Sequence, residues 1–268
     1  MRQWTVDAFA SGPFKGNPAC VVEPFDAWPE DAWMHALAAE NNQAETAFLL
    51  KTGEPGRFGL RWMTPTVEAP LCGHATLASA HVLYETGLAG PGEPIRFDSA
   101  SGTLTARQDG PAIALDFPAT PAVRAQPPPM VLAALGVGAP AWTGRSREDL
   151  LIVLSAEEQV AALAPDFGRL ASARVRGTIV TAPASRADAD FVSRFFAPAV
   201  GVAEDPVTGS AHCTLAPYWC QRLGQTALTG YQASRRGGTV RVRMAADRVI
   251  LTGEAVTVLT GELTDAAR

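Results

Sequence analysis

The chain has 268 residues, enough for one large domain or two of ordinary size whose core needs no disulfide or metal support. A net charge of −5 and a pI near 5.4 exclude the basic face with which a nucleic-acid binder neutralises phosphates. Cys20, Cys72, Cys213 and Cys220 form no CxxC pair and show no metal-ligand spacing with the four histidines, so reduced thiols and no bound metal are expected.

From the N-terminus, "MRQWTVDAFASG" lacks the apolar run of an export signal, and no stretch approaches the roughly 18 to 20 apolar residues of a membrane span, so a soluble cytoplasmic protein with no membrane partner is expected. "TVDAF", "ACVVE", "TAFLLK", "FGLRWM", "TLTAR" and "IALDF" are short apolar runs bounded by Gly, Pro and Asn, which reads as many short strands. "PEDAWMHALAAENN" reads as a helix: Pro29 and acids open it, Trp33, Leu37 and Ala38 share a face, and Asn41 and Asn42 stop it. "GHATLASAHVLYETG" and "GSAHCTLAPYWCQRLG" are two further helices, each opened and closed by glycine. "PATPAVRAQPPP", residues 118 to 129, is the linker candidate, giving an N-terminal lobe over 1–118 and a C-terminal lobe over 119–268, with a last strand near 255–268 free to pack back on the first lobe.

An internal repeat straddles that linker. "RWMTP" at 61 matches "RFFAP" at 194 with an offset of 133, whereas Gly73 and Gly209, and "GTLTAR" at 102 with "GTVRVR" at 238, share an offset of 136. The three extra residues fall in the loop containing "EDPVTG". A competing match, "HATLA" with "HCTLA", has an offset of 138, and a slip of two residues rotates a helix by about 200°. Each half should then be a strand, a loop, a glycine-started central helix and a return strand in a mostly antiparallel, barrel-like sheet, an α+β architecture. If the halves face each other about a pseudo-twofold axis, both helix N-termini can point into one cleft and favour an anion there.

Several residues near those helix starts can carry chemistry. Gly73 and Gly209 allow close backbone approach to a ligand, while Thr208 or Ser210 could equally be plain helix caps. Asp205 is held extended by Pro206 and could face the cleft, or it and Glu204 could only complement a helix end. Glu45 begins the apolar strand of "NNQAETAFLL", where partial desolvation would raise its pKa toward that of a general acid or base; a solvated acid is the alternative. Cys72 precedes Gly73, where the helix end would activate a thiol, unless it is a buried inert cysteine. His74 adjoins the same turn. Cys213 could belong to core or cleft, Cys20 and Cys220 read as core, and His35 and His81 receive no role.

Together "VDAFASGPFKGNPACVV", "NNQAETAFLL", "RWMTPTVEAPLCGHATLASAHVL", "FDSASGTLTAR", "RFFAPAVGVAEDPVTGSAHCTLAPYW" and "VILTGEAVTVLTGEL" resemble the PhzF-like isomerase family of phenazine biosynthesis, relatives of diaminopimelate epimerase. The resemblance implies a diaminopimelate-epimerase-like fold of two pseudo-symmetric barrel-like lobes, each with a central helix, a cofactor-free active site, and a homodimer. It implies Glu45 as the acid/base carboxylate with His74 and Asp205 as partners, and Ser210, Gly73, Gly209, Cys72 and Asn17 of "GNPA" at a small carboxylate substrate. The related epimerases use two thiols. Cys72 resembles the first, but "DPVTGS" carries an acid where the second would sit. The expected activity is therefore a proton-shifting isomerase. A racemase using Cys72, with Asp205 or Cys213 as the opposite base, and a non-catalytic binding or scaffold protein are the alternatives. A hydrolase finds no GxSxG elbow here.

Overall fold

A computed structural model describes residues 1–265. The chain divides into two compact units, one formed by residues 1–116 together with the chain from Thr252 onward, the other by residues 117–251. The first begins with β1 (Arg2–Ala8), β2 (Asn17–Val22), α1 (Asp31–Asn41), β3 (Thr46–Lys51), β4 (Arg57–Met63) and β5 (Glu68–Ala69). It continues through α2 (Gly73–Glu85), β6 (Ile95–Ser99), β7 (Gly102–Asp109) and into β8 (Ala112–Pro118). β1 pairs antiparallel with β2, β2 parallel with β3, β3 antiparallel with β4, β4 parallel with β6, and β6 and β7 run antiparallel to their successors. α1 ends where the two asparagines suggest: Asn42 adopts the left-handed conformation at φ 48°, which asparagine tolerates, and its N–H returns to the Ala38 carbonyl. Its fully buried residues are Met34 and Ala38, four apart on one face; Trp33 and Leu37 flank them against Phe48 and Met63.

The second unit contains β9 (Val123–Arg124), α3 (Pro129–Leu135), β10 (Trp142–Arg145), β11 (Asp149–Val153), α4 (Glu157–Ala161), α5 (Phe167–Ser172), β12 (Gly177–Pro183) and β13 (Phe191–Ala197). β14 (Val202–Asp205), α6 (Gly209–Leu223), β15 (Ala227–Gln232), β16 (Gly238–Ala245) and most of β17 (Arg248–Gly253) complete it. Residues 118 to 129, read as a linker, thus include β9 and lead directly into α3. Val131 and Leu135 of α3 and Leu170 of α5 pack with Ile152, Val180 and Phe196 to form its core. β18 (Ala255–Glu262) then rejoins the first unit, antiparallel along the whole of β1 from Arg2↔Glu262 to Ala8↔Ala255.

The two units repeat one topology. β11 and β12 are parallel as β2 and β3 are, β12 and β13 antiparallel as β3 and β4 are, and β13 and β15 parallel as β4 and β6 are. Thr46↔Met63 in the first corresponds to Thr178↔Phe196 in the second. The three extra residues lie where expected: residues 64–72 lead from β4 to α2, whereas 197–208 separate the corresponding point of β13 from α6, with β14 longer than β5. α2 and α6 both start at the glycines offset by 136, so the register with offset 138 is wrong.

Each repeat is built around its helix. Ten residues of α2, Gly73 to Ala80 with Val82 and Leu83, are buried, as befits a helix apolar on all sides that packs on β1, β2, β3 and β18. The small side chains of Gly73, Ala75, Ala78, Ser79 and Ala80 let strands approach closely. The buried hydroxyls of Thr76 and Ser79 donate to the carbonyls four residues back, 2.6 and 2.7 Å away, and so need no outside partner. α6 packs on β15 and β16 and carries Pro217 in its interior.

Candidate active site

In the first unit the start of β2, the start of β3 and the N-terminus of α2 bring Asn17, Glu45, Cys72, Gly73 and His74 together. His74 is sealed in the fold, and burial holds its imidazole down at about 3, so the ring is neutral throughout the physiological range. The Asn17 side-chain N–H₂ donates to His74 Nδ1 at 3.1 Å, which makes Nδ1 the bare nitrogen and puts the ring proton on Nε2. Nε2 faces Glu45 Oε2 at 3.2 Å, at ion-pair distance but without the alignment of a full hydrogen bond. The Glu45 side chain is largely buried, with 19% of it exposed. Cys72 Sγ lies 3.5 Å from His74 Nδ1.

Cys72 also occupies the N-cap of α2 with extended backbone (φ −140°, ψ 111°) and makes no side-chain cap bond. In the second unit Thr208 does the same at the N-cap of α6 (φ −114°, ψ 105°). The helical ladders begin at Thr76 N–H to Cys72 and at His212 N–H to Thr208, so the three preceding N–H groups of each helix lie outside them. The capping alternative for Thr208 and Ser210 fails on this geometry. Thr208 Oγ1 turns backward and donates to Asp205 Oδ2 at 2.5 Å. Glu204 serves neither helix end: it takes two bonds from Arg194, at 2.7 and 2.9 Å. Asp205, Gly209 and Ser210 are thus gathered at one turn.

That turn is fastened by residues the sequence reading passes over. Gln232, fully buried at the end of β15, accepts from the Thr208 N–H at 2.9 Å and donates to the Asp205 carbonyl at 2.7 Å and to Thr208 Oγ1 at 3.2 Å. Its distance along the chain, beyond a whole helix, hides it. Arg176, one residue before β12, is held by the buried Asp149 through Nε at 3.0 Å and a closer Nη2 contact, and reaches toward Ser210 Oγ at 3.4 Å. Asp149 was findable, because "EDLLIV" places an acid before an apolar strand just as "ETAFLL" does. Cys213 is core: burial pushes its thiol up to about 12, which removes it as the opposite base of a racemase.

The topological repeat, with a buried central helix in each unit, is the α+β, diaminopimelate-epimerase-like fold expected from the sequence, and solved structures share it. A hydroxyproline epimerase from Agrobacterium vitis superposes with a TM-score of 0.62 at 11% identity over 97% of this chain and 91% of that one, a likeness of fold alone. A PhzF-family protein from Enterococcus faecalis superposes with a TM-score of 0.91 at 42% identity, covering 98% of both chains. Residues 6–261 match the family described as phenazine biosynthesis-like protein, and the chain belongs to that family. Uncharacterized isomerases from Pseudomonas aeruginosa and Halalkalibacterium halodurans are 49% and 47% identical to it, with 96% of both chains covered in the first case and 97% in the second. The chain shares their enzyme class, isomerase. Among the described residues no helix is long and apolar enough to cross a membrane.

Proposed function

We propose that the protein is a cofactor-independent isomerase that moves a proton on a small carboxylic acid, with Glu45 as the shuttle. The observation that carries this reading is Glu45 Oε2 facing the protonated Nε2 of a neutral, fully buried His74. A neutral imidazole neither takes a proton near pH 7 nor repels one. Its role is to position the carboxylate that takes the proton. Glu45 removes a proton from carbon, holds it as the carboxylic acid, and returns it to another carbon of the same conjugated system, so the product is an isomer. The N–H groups of the uncapped α2 terminus supply an anion site beside this carboxylate, and those of α6, with Asp205 and Ser210 at the same turn, supply a second.

The test is turnover of small cyclic and acyclic carboxylic acids in deuterated water. Glu45→Gln keeps the shape and loses the proton, and we expect turnover and label incorporation to fall by about 10² to 10⁴ with binding nearly intact. Near-wild-type turnover in that variant would sink the reading. A second reading, a racemase based on Cys72, draws on the 3.5 Å contact of its sulfur with His74. It predicts the opposite pattern: loss of turnover in Cys72→Ala, little change in Glu45→Gln.

A further inference from the structure

We propose that Glu45, Cys72 and His74 bind a thiophilic divalent cation of the zinc class, and that the bound cation shuts the site by occupying its proton-transfer groups. One ligand atom from each residue falls within a sphere where all three lie within 4.8 Å of one another. Bond lengths of about 2.0–2.3 Å around a tetrahedral zinc put neighbouring donors about 3.3–3.6 Å apart. The Glu45 Oε2 to His74 Nε2 spacing of 3.2 Å and the Cys72 Sγ to His74 Nδ1 spacing of 3.5 Å both approach this, but on different nitrogens of one ring. Bringing all three to one cation at Nε2 therefore asks the Cys72 and Glu45 side chains to shift toward that nitrogen.

The surroundings suit such an ion. A divalent charge with one thiolate, one carboxylate and one neutral imidazole sums to zero, the least costly charge state for a largely buried site. The Cys72 thiol gives its proton to solvent on coordination. Metal at Nε2 moves the ring proton to Nδ1, where Asn17 can receive it by rotating its amide so that the carbonyl oxygen faces the ring, the usual outer support of a metal-bound histidine. Cys72 and His74 sit on the fixed backbone at the start of the buried helix α2, so only side-chain movement is needed to bring the donors together. The donor set is wrong for magnesium, which takes oxygen and water in an octahedron. The absence of ligand spacing in the sequence does not bear on a cluster assembled from a strand start and a helix start. Cation binding by these three residues is independent of Glu45 being the shuttle and is read without any substrate, whereas the shutting of the site rests on that proposed function.

The full chain is titrated with Co²⁺ under reducing, anaerobic conditions in excess Mg²⁺. We expect one equivalent to bind with a thiolate-to-cobalt charge-transfer band in the near ultraviolet, and Zn²⁺ to bleach that band. Cys72→Ser should abolish the band, and Glu45→Gln should keep it while weakening binding by more than about tenfold. Absence of the band in the wild type, its persistence in Cys72→Ser, or unchanged affinity in Glu45→Gln would each overturn the proposal. If Cys72→Ser loses its fold by circular dichroism, the Glu45→Gln affinity decides.

Discussion

Two imidazoles are sealed inside the protein, and burial works on both in one direction: His74 is held at about 3 and His212 at about 4, against about 6.5 in the unfolded chain. His212 donates Nδ1–H to the Thr208 carbonyl at 2.8 Å, so it is fixed as one neutral tautomer at the first turn of α6. Because the folded pKa values are depressed, the contribution to stability is complete above pH 6.5 and is lost as pH falls toward 4 and 3, the unfolded chain binding the protons. The slope approaches 1.4 kcal/mol per pH unit for each ring, or about 2 kcal/mol per ring between pH 7 and pH 5. Urea denaturation at those two pH values should show that loss, and His212→Gln should remove about half of it. A pH-independent midpoint would contradict the burial of both rings.

At the scale of elements, close approach decides what a strand can be. Gly230 of β15 pairs with Phe191 of β13, and a Cβ on it would come within 2.5 Å of the Phe191 ring and 3.1 Å of His212 Nε2. Gly230→Ala therefore forces a stacked aromatic, parallel to Trp219 at 5.8 Å, to move, and should cost about 1–3 kcal/mol of unfolding free energy in chemical denaturation. Much of this organisation was legible. The strand runs, the three long helices and the glycines that begin α2 and α6 all carry local signals of period, cap or turn, and the repeat offset located the inserted loop. What was not legible depends on contacts across the sheet: Gln232 fastening the turn of Asp205, Arg176 tethered to Asp149, and the need for glycine at 230 follow from packing that no short stretch of sequence encodes. Glu45 and His74 were legible as candidates, but the tautomer that relates them depends on Asn17, which lies 57 residues from His74.

The whole molecule consists of two units of like topology, one continuous along the chain and the other not. β1 depends on a strand from the far end: β18 pairs with it over its full length, beside the buried Trp4 and Val6. Ending the chain after Gly253 removes β18 and opens one edge of β1 and one side of α2. Hydrogen exchange on that shortened chain should show β1, β2 and α2 losing protection while β11, β12 and β13 keep theirs; retained protection in β1 would show that β18 is dispensable.

This discontinuity has a consequence for biosynthesis. A ribosome delivers β1, β2, β3 and α2 first, yet the strand that completes their sheet leaves the exit tunnel only after all of residues 117–251 have emerged. The later-made continuous unit is thus free to finish before the earlier-made one, and the nascent β1 must wait with one edge bare through most of translation. The packing of β1 and α2 is completed only when β18 is made, so a chain interrupted during synthesis carries Glu45, Cys72 and His74 on a unit whose sheet is unfinished.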